Sequence, residues 1–212
     1  RNTALKIITA IGLIGFVVGP AAQEQAFSPK LRILVANDDG IDSPGLHALA
    51  LALSEIAEVV VSAPEENCSG SSHSSEVFSG THRAKQIDIP GAVKAWAIEG
   101  TPSDAVTWGV LTEGQEHKFD YVVSGINGGA NVGERAHYSG TIGAAMEGAG
   151  HGIPSIAVSQ ARQSSHEVAC SVVVNLINRL QEAGAPSGIV WAVEVPVMKS
   201  GESPEIAIAP MS

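Results

Sequence analysis

The chain has 212 residues, of which 44% are hydrophobic, and carries a formal charge of -10 at pH 7; that length allows one sizeable core and demands no second domain. So acidic a chain, with no basic run, excludes a protein that coats a nucleic acid polymer, because nothing in it neutralises phosphates along a strand. The two cysteines, Cys68 and Cys170, form neither a disulfide framework nor a close metal-type pair, and packing is the role expected of both.

At the N-terminus, Arg1 and Lys6 precede the apolar stretch Ile7 to Val18, followed by Gly19, Pro20, Ala21 and Ala22. This is the pattern of a secretory signal with a small-residue cleavage region, and it is short for a membrane span, which needs about 20 residues. Residues 1–30 therefore read as a leader that suggests a periplasmic or secreted location, and no stable membrane span is expected after it. The folded domain is expected over residues 31–212.

The domain opens on Arg32 to Pro44, RILVANDDGIDSP. Ile33 to Ala36 form a short apolar run closed by Asn, Asp and Gly, which predicts a buried parallel strand ending in a turn. Asp38 and Asp39 then stand at the carboxyl end of that strand, where open α/β sheets bind ligands. Like charges this close raise one another's pKa unless a cation lies beside them, and adjacent oxygens suit a hard ion such as Mg²⁺ or Mn²⁺. The same residues also read as an Asx-rich turn leading into the next helix, and the strand end alone does not separate the two readings.

Ser43 and Pro44 supply an N-cap and a first-turn proline for a helix from Pro44 to about Ile56, with Leu46, Leu49, Ala50 and Leu53 at helical spacing. Val59 to Val61 make the second strand, so a right-handed β-α-β unit begins the fold. The polar loop Pro64 to Ser75 carries five serines and His73. It lacks the Gly-x-Ser-x-Gly elbow of a serine nucleophile. A loop hydroxyl serving as a metal or phosphate ligand suits its place at the end of the second strand better, and His73 reads as a loop hydrogen-bonding residue.

Ala84 to Ile89 and Lys94 to Ile98, separated by Pro90-Gly91, predict a hairpin attached to the main sheet. Thr101-Pro102-Ser103-Asp104 is a capping box that starts a helix to about Thr112, with Asp104 in a structural role. Tyr121 to Val123 form the next strand, and the loop Ser124 to Gly133 that follows is dense in glycine, with Asn127 and Asn131 adding amide groups. Such a loop lets backbone N–H groups approach a ligand closely. Tyr138 to Thr141 then open a small-residue helix, Ile142 to Gly150, whose N-terminus is suited to an anion, although Ser139 also reads as an ordinary N-cap. Pro154 to Val158 make a further strand. A helix from Ser164 or Ser165 carries Val168, Val172, Leu176, Ile177 and Leu180 on its apolar positions, with His166 and Cys170 lacking an evident chemical partner. Strands are expected over Ile189 to Val195 and Ile206 to Ala209.

Four stretches, ILVANDDGIDSPGLHALA, VVVSAPEENCSGSSHS, EGTPSDAVTWG and DYVVSGINGGANVGERAHYSGTIGAAMEGAGHGIPSIAVS, together resemble the SurE nucleotidases in order and spacing across most of residues 32–159. The resemblance implies an α/β fold, a Rossmann-like doubly wound and mostly parallel sheet. It also implies a divalent-metal phosphomonoesterase releasing phosphate from nucleoside 5′- and 3′-monophosphates, some members acting on short polyphosphate as well. Carried over by position, the metal ligands for Mg²⁺ or Mn²⁺ would be Asp38, Asp39, Ser69 and Asn127, with Asp38 and Asp39 as the catalytic pair, and Asn131, Ser139, Gly140 and Thr141 would hold the phosphate.

Family members place a basic or polar residue where this chain has Glu66 and Cys68, which implies weaker positive charge nearby. They are cytoplasmic by default, and they pair as homodimers or homotetramers through segments beyond the point where this chain ends. Against the alternative of a non-catalytic or dinucleotide-binding Rossmann-like module, the first strand leads into Asn-Asp-Asp-Gly instead of Gly-x-Gly-x-x-Gly. A catalytically dead fragment is the third reading.

Overall fold

The computed structural model describes residues 30–77, 79–197 and 207. The signal-like stretch Ile7 to Val18 and, apart from Ala207, the strand expected over Ile206 to Ala209 lie outside the described residues. Strand β1, Leu31–Ala36, sits at the centre of a seven-stranded sheet and feeds two cores. Its successive side chains point to opposite faces, as strand geometry requires. Ile33 and Val35 pack with helix α1, Pro44–Ser54, and helix α4, His166–Ala183, while Leu34 and Ala36 pack with helix α2, Pro102–Thr112, and helix α3, Gly140–Gly150. Because both faces are covered, the strand is apolar throughout instead of alternating.

The other strands are β2 (Ala57–Pro64), β3 (Ala84–Ile87), β4 (Lys94–Ile98), β5 (Tyr121–Gly128), β6 (Ser155–Gln160) and β7 (Val190–Val195). Their order is β3-β4-β2-β1-β5-β6-β7, parallel everywhere except the β3–β4 pair. The chain moves outward from β1 through β2 and β4, then returns to the other side of β1 as β5. The carboxyl ends of β1 and β5 therefore flank the point where the winding reverses, the crevice in which such sheets bind ligands.

The hairpin is more than an attachment. β4 joins the parallel sheet through β2, in register from Val60 opposite Lys94 to Pro64 opposite Ile98, and only β3 is the antiparallel edge. Helix α1 ends two residues before Ile56, and Leu46, Leu49 and Leu53 are fully buried, each contributing roughly 2 kcal/mol of apolar burial. In α4 the buried face is carried by Ala169, Cys170, Val173 and Ile177, with Val172 and Leu176 only partly covered. Cys170 is free and buried against α1, in the packing role expected of it, and Cys68 is also free.

Candidate functional site

The turn after β1 is held before any ligand arrives. Asn37 Nδ2 donates to the carbonyl of Gly40 at 2.8 Å, Ile41 N donates to Pro64 O at 2.8 Å, and Cys68 N donates to Asp38 O at 2.7 Å. The backbone carrying the two carboxylates is thus tied both to itself and to the polar loop after β2. Asp38 is 3% exposed, and its Oδ1 accepts from Thr141 Oγ1 at 2.6 Å. The backbone N–H groups of Gly140 and Thr141 also face this carboxylate and, with the hydroxyl, pull its pKa down. Burial outweighs them and leaves the Asp38 pKa raised.

Asp39 is half-buried, and its pKa is raised by burial and then by the charge of Asp38, while the Arg162 guanidinium and the Gly128 backbone act the other way. Two neighbouring carboxylates whose ionised forms are both disfavoured make a place where a cation gains most.

Helix α3 comes this close because Gly140 has no side chain. A Cβ there would lie 2.7 Å from Asp38 Cβ, 2.8 Å from Ser71 Oγ and 3.0 Å from Asp38 Oδ2. The sequence places Gly140 and Thr141 beside a phosphate; the structure places them against Asp38, with the Thr141 hydroxyl proton already committed to Oδ1. The positive end of the α3 dipole therefore acts on a carboxylate.

Two adjoining clefts meet at these residues. The smaller, about 270 Å³, is lined by Asp38, Asn131, Arg135, Tyr138 and Ser139 among others, and the larger, about 490 Å³, by Asp39, Ser43, Gln160 and His166 among others. Ser69, Asn127, Gly128 and Arg162 form their common wall. All four residues expected as metal ligands thus line the two clefts, and Ser69 and Asn127 lie at their junction. Asn127 spends its amide N–H on Gly129 O at 2.7 Å, leaving Oδ1 as an oxygen donor, and Ser69 is exposed, its backbone N–H held by Asn67 Oδ1 at 3.0 Å. Among the described residues no three His, Cys, Asp or Glu side chains gather as a metal cage. Two carboxylates with a hydroxyl and an amide oxygen fit a hard ion that keeps several waters.

Asn131 is braced from two strands, its Nδ2 donating to Ser159 Oγ at 3.0 Å and its backbone N–H to Glu194 Oε1 at 3.1 Å. Ser139 caps α3, its Oγ accepting from Ile142 N at 3.1 Å, which leaves its own proton free to donate. Both residues line the smaller cleft, with Gly140 and Thr141 behind Asp38.

Arg162, Arg135, Gln160 and His166 were not marked as site residues by the sequence. Arg162 lies two residues past the carboxyl end of β6, and its position after a buried parallel strand was the available signal. His166, expected to be without a partner, meets Gln160. His73 lies 2.8 Å from Glu147 Oε2, and Glu147 also accepts from Thr107 Oγ1 at 2.8 Å. Among the described residues no serine of the polar loop hydrogen-bonds His73, in keeping with the loop's lack of a nucleophile elbow. Asp104 completes the expected capping box with Thr101 and in addition accepts from Ser75 Oγ at 2.6 Å and from Glu76 N, anchoring the far end of that loop.

A family model described as Survival protein SurE matches residues 33–212. The 5′-nucleotidase SurE of Thermosynechococcus vestitus is 40% identical over 184 residues, an overlap that covers 84% of this chain and 68% of the relative. The 5′-nucleotidase SurE of Nitrosococcus oceani is 42% identical over 173 residues, 78% of this chain and 64% of the relative. Among solved structures, the SurE protein of Aquifex aeolicus superposes with a TM-score of 0.71 at 38% identity, covering 79% of this chain and 67% of that one. The chain spans about two thirds of the length of these relatives. Among the described residues no helix is long and apolar enough to cross a membrane.

Proposed function

The chain belongs to the survival protein SurE family, and on that premise we propose that it is a divalent-metal-dependent phosphomonoesterase hydrolysing nucleoside 5′- and 3′-monophosphates to nucleoside and phosphate. The observation that carries the reading is the pair Asp38 and Asp39 at the reversal point of the sheet, both disfavoured as anions, with the neutral oxygens of Ser69 and Asn127 lining the same clefts. SurE nucleotidases are metal-dependent in general. For this chain the all-oxygen donor set favours Mg²⁺ or Mn²⁺ held by Asp38, Asp39, Ser69 and Asn127.

When bound, the ion supplies positive charge that polarises the phosphoryl group. The chain's own residues do the rest. Thr141, donating to Oδ1, fixes the orientation of the Asp38 carboxylate at the N-terminus of α3. Asn131, held by Ser159 and Glu194, and the Ser139 hydroxyl offer donors to the phosphate oxygens from the smaller cleft. Arg162 adds the delocalised charge that a dianionic phosphate requires, in a geometry suited to two oxygens at once. A pyrophosphate cofactor is disfavoured at this mouth, because two carboxylates stand where a dinucleotide fold places glycines.

The test is phosphate release from nucleoside monophosphates with Mg²⁺ or Mn²⁺, run beside short polyphosphate. Activity is expected to disappear on chelation and in Asp38→Asn. Full activity in that variant would remove the assignment of the metal site.

A further inference from the structure

Of the two clefts, the one holding Asn131 and Ser139 is about 270 Å³, and the one beyond Asp39 is about 490 Å³. Pockets that enclose small organic ligands run to about 300–1,000 Å³, so the larger cleft is the one with room for a sugar and base. Its wall is built around Gln160, which is 2% exposed at the end of β6. The Gln160 amide nitrogen lies 2.9 Å from Ser164 O and 3.0 Å from His166 Nδ1. A carbonyl can only accept, so the amide nitrogen, not its oxygen, must face Ser164. The second N–H of that nitrogen then meets Nδ1, which must be the unprotonated ring atom.

The proton of His166 is therefore on Nε2, which has no hydrogen-bond partner among the described residues. Gln160 Oε1 is buried with no hydrogen-bond partner among the described residues. Ser43 lines the same cleft, and although it occupies the N-cap of α1 its hydroxyl makes no cap hydrogen bond. The wall thus offers two uncharged polar groups next to a guanidinium.

Resting on the nucleotidase reading, we propose that this wall is the nucleoside subsite. His166 Nε2–H donates to an acceptor on the sugar or base, the Ser43 hydroxyl exchanges a hydrogen bond with a sugar hydroxyl, and Gln160 is a positioning residue that holds the imidazole in its tautomer. Arg162, common to both clefts, stays with the phosphate.

The experiment compares kcat/KM for a nucleoside 5′-monophosphate with kcat/KM for phenyl phosphate, which carries neither sugar nor base, using the Mn²⁺-loaded protein. In His166→Ala the ratio of the two is expected to fall about five- to tenfold, through KM for the nucleotide, as loss of one directed hydrogen bond predicts. His166→Gln, whose amide N–H reaches to about where Nε2–H stood, is expected to restore part of it, and Gln160→Met to lower it in the same direction. An unchanged ratio in His166→Ala, with the wild-type chain still hydrolysing the nucleotide, overturns the subsite and leaves the nucleotidase reading intact. A wild-type chain that releases phosphate from neither ester overturns both.

Discussion

Asp38 bears two demands that conflict in the metal-free chain. It must be ionised to hold a cation, yet burial raises its pKa and Asp39 stands beside it. Asp38→Asn removes the buried charge while keeping an oxygen that can still accept from Thr141 Oγ1. The variant is expected to lose about 10²–10⁴-fold in kcat, as removal of a group that organises transition-state charge does. Its metal-free form is expected to melt higher than the metal-free wild type, by about 2–4 °C for each kcal/mol relieved. Thermal melts in chelator check the second expectation independently of the first. Thr141 is fully buried, and among the described residues its side-chain hydroxyl hydrogen-bonds Asp38 alone. Thr141→Val keeps the volume and removes the donor. It is expected to raise the Mn²⁺ concentration for half-maximal activity about 10–100-fold, the range for residues that orient a metal ligand, with folding retained. The contact itself joins residues 103 apart in sequence, so Ser139-Gly140-Thr141 could be read locally only as a helix start with anion character. The anion that the helix meets in the structure is one the chain supplies.

Elements that are marked by their own termini were legible. Pro44 and the Thr101–Asp104 box set the starts of α1 and α2 because proline at the first helical position and a reciprocal cap are local devices. What exceeds the local signal is where such devices connect. Asp104 holds the N-terminus of α2 and, through Ser75 and Glu76, the end of the polar loop that carries Ser69 at its middle. Its pKa is lowered: burial opposes ionisation, but the hydrogen bonds from Ser75, Thr101 and Glu76 together outweigh it. A folded-state pKa below the unfolded one means that its stabilisation is present above the ordinary aspartate range and disappears as pH falls through the lowered value. Asp104→Ala is therefore expected to cost about 2 kcal/mol at neutral pH, from the lost cap and the charged acceptor. Urea melts of both proteins should converge on acidification, and a gap that stays constant down to the acid limit would contradict the role given to ionised Asp104. The hairpin shows the same division: Pro90-Gly91 announces the antiparallel pair, but the parallel partner of β4 lies in β2, more than thirty residues upstream, and leaves no mark on the hairpin's own sequence.

The molecule as a whole is a sheet whose reversal point gathers ligands from strands distant in sequence. β1 brings Asp38 and Asp39, the loop after β2 brings Ser69, β5 brings Asn127, and the segment past β6 brings Arg162. The α/β class followed from apolar runs alternating with helical spacing, since each run had to be covered on both faces, and the doubly wound sheet was implied by the resemblance to the SurE nucleotidases; the order of the strands was in neither. The clefts between strand ends did not follow, because their walls are made by side chains whose neighbours depend on strand order, as with Gln160 and His166. One divalent site at that point is the claim on which the rest depends. Its most direct test is calorimetric titration of Mn²⁺ into the chelator-stripped wild type and Asp38→Asn, with phosphate release from a nucleoside monophosphate followed in the same samples. One ion bound per chain by the wild type, activity returning in step with occupancy, and neither in the variant is the predicted result. Activity that is complete in chelator, or Mn²⁺ binding unchanged in Asp38→Asn, would contradict it.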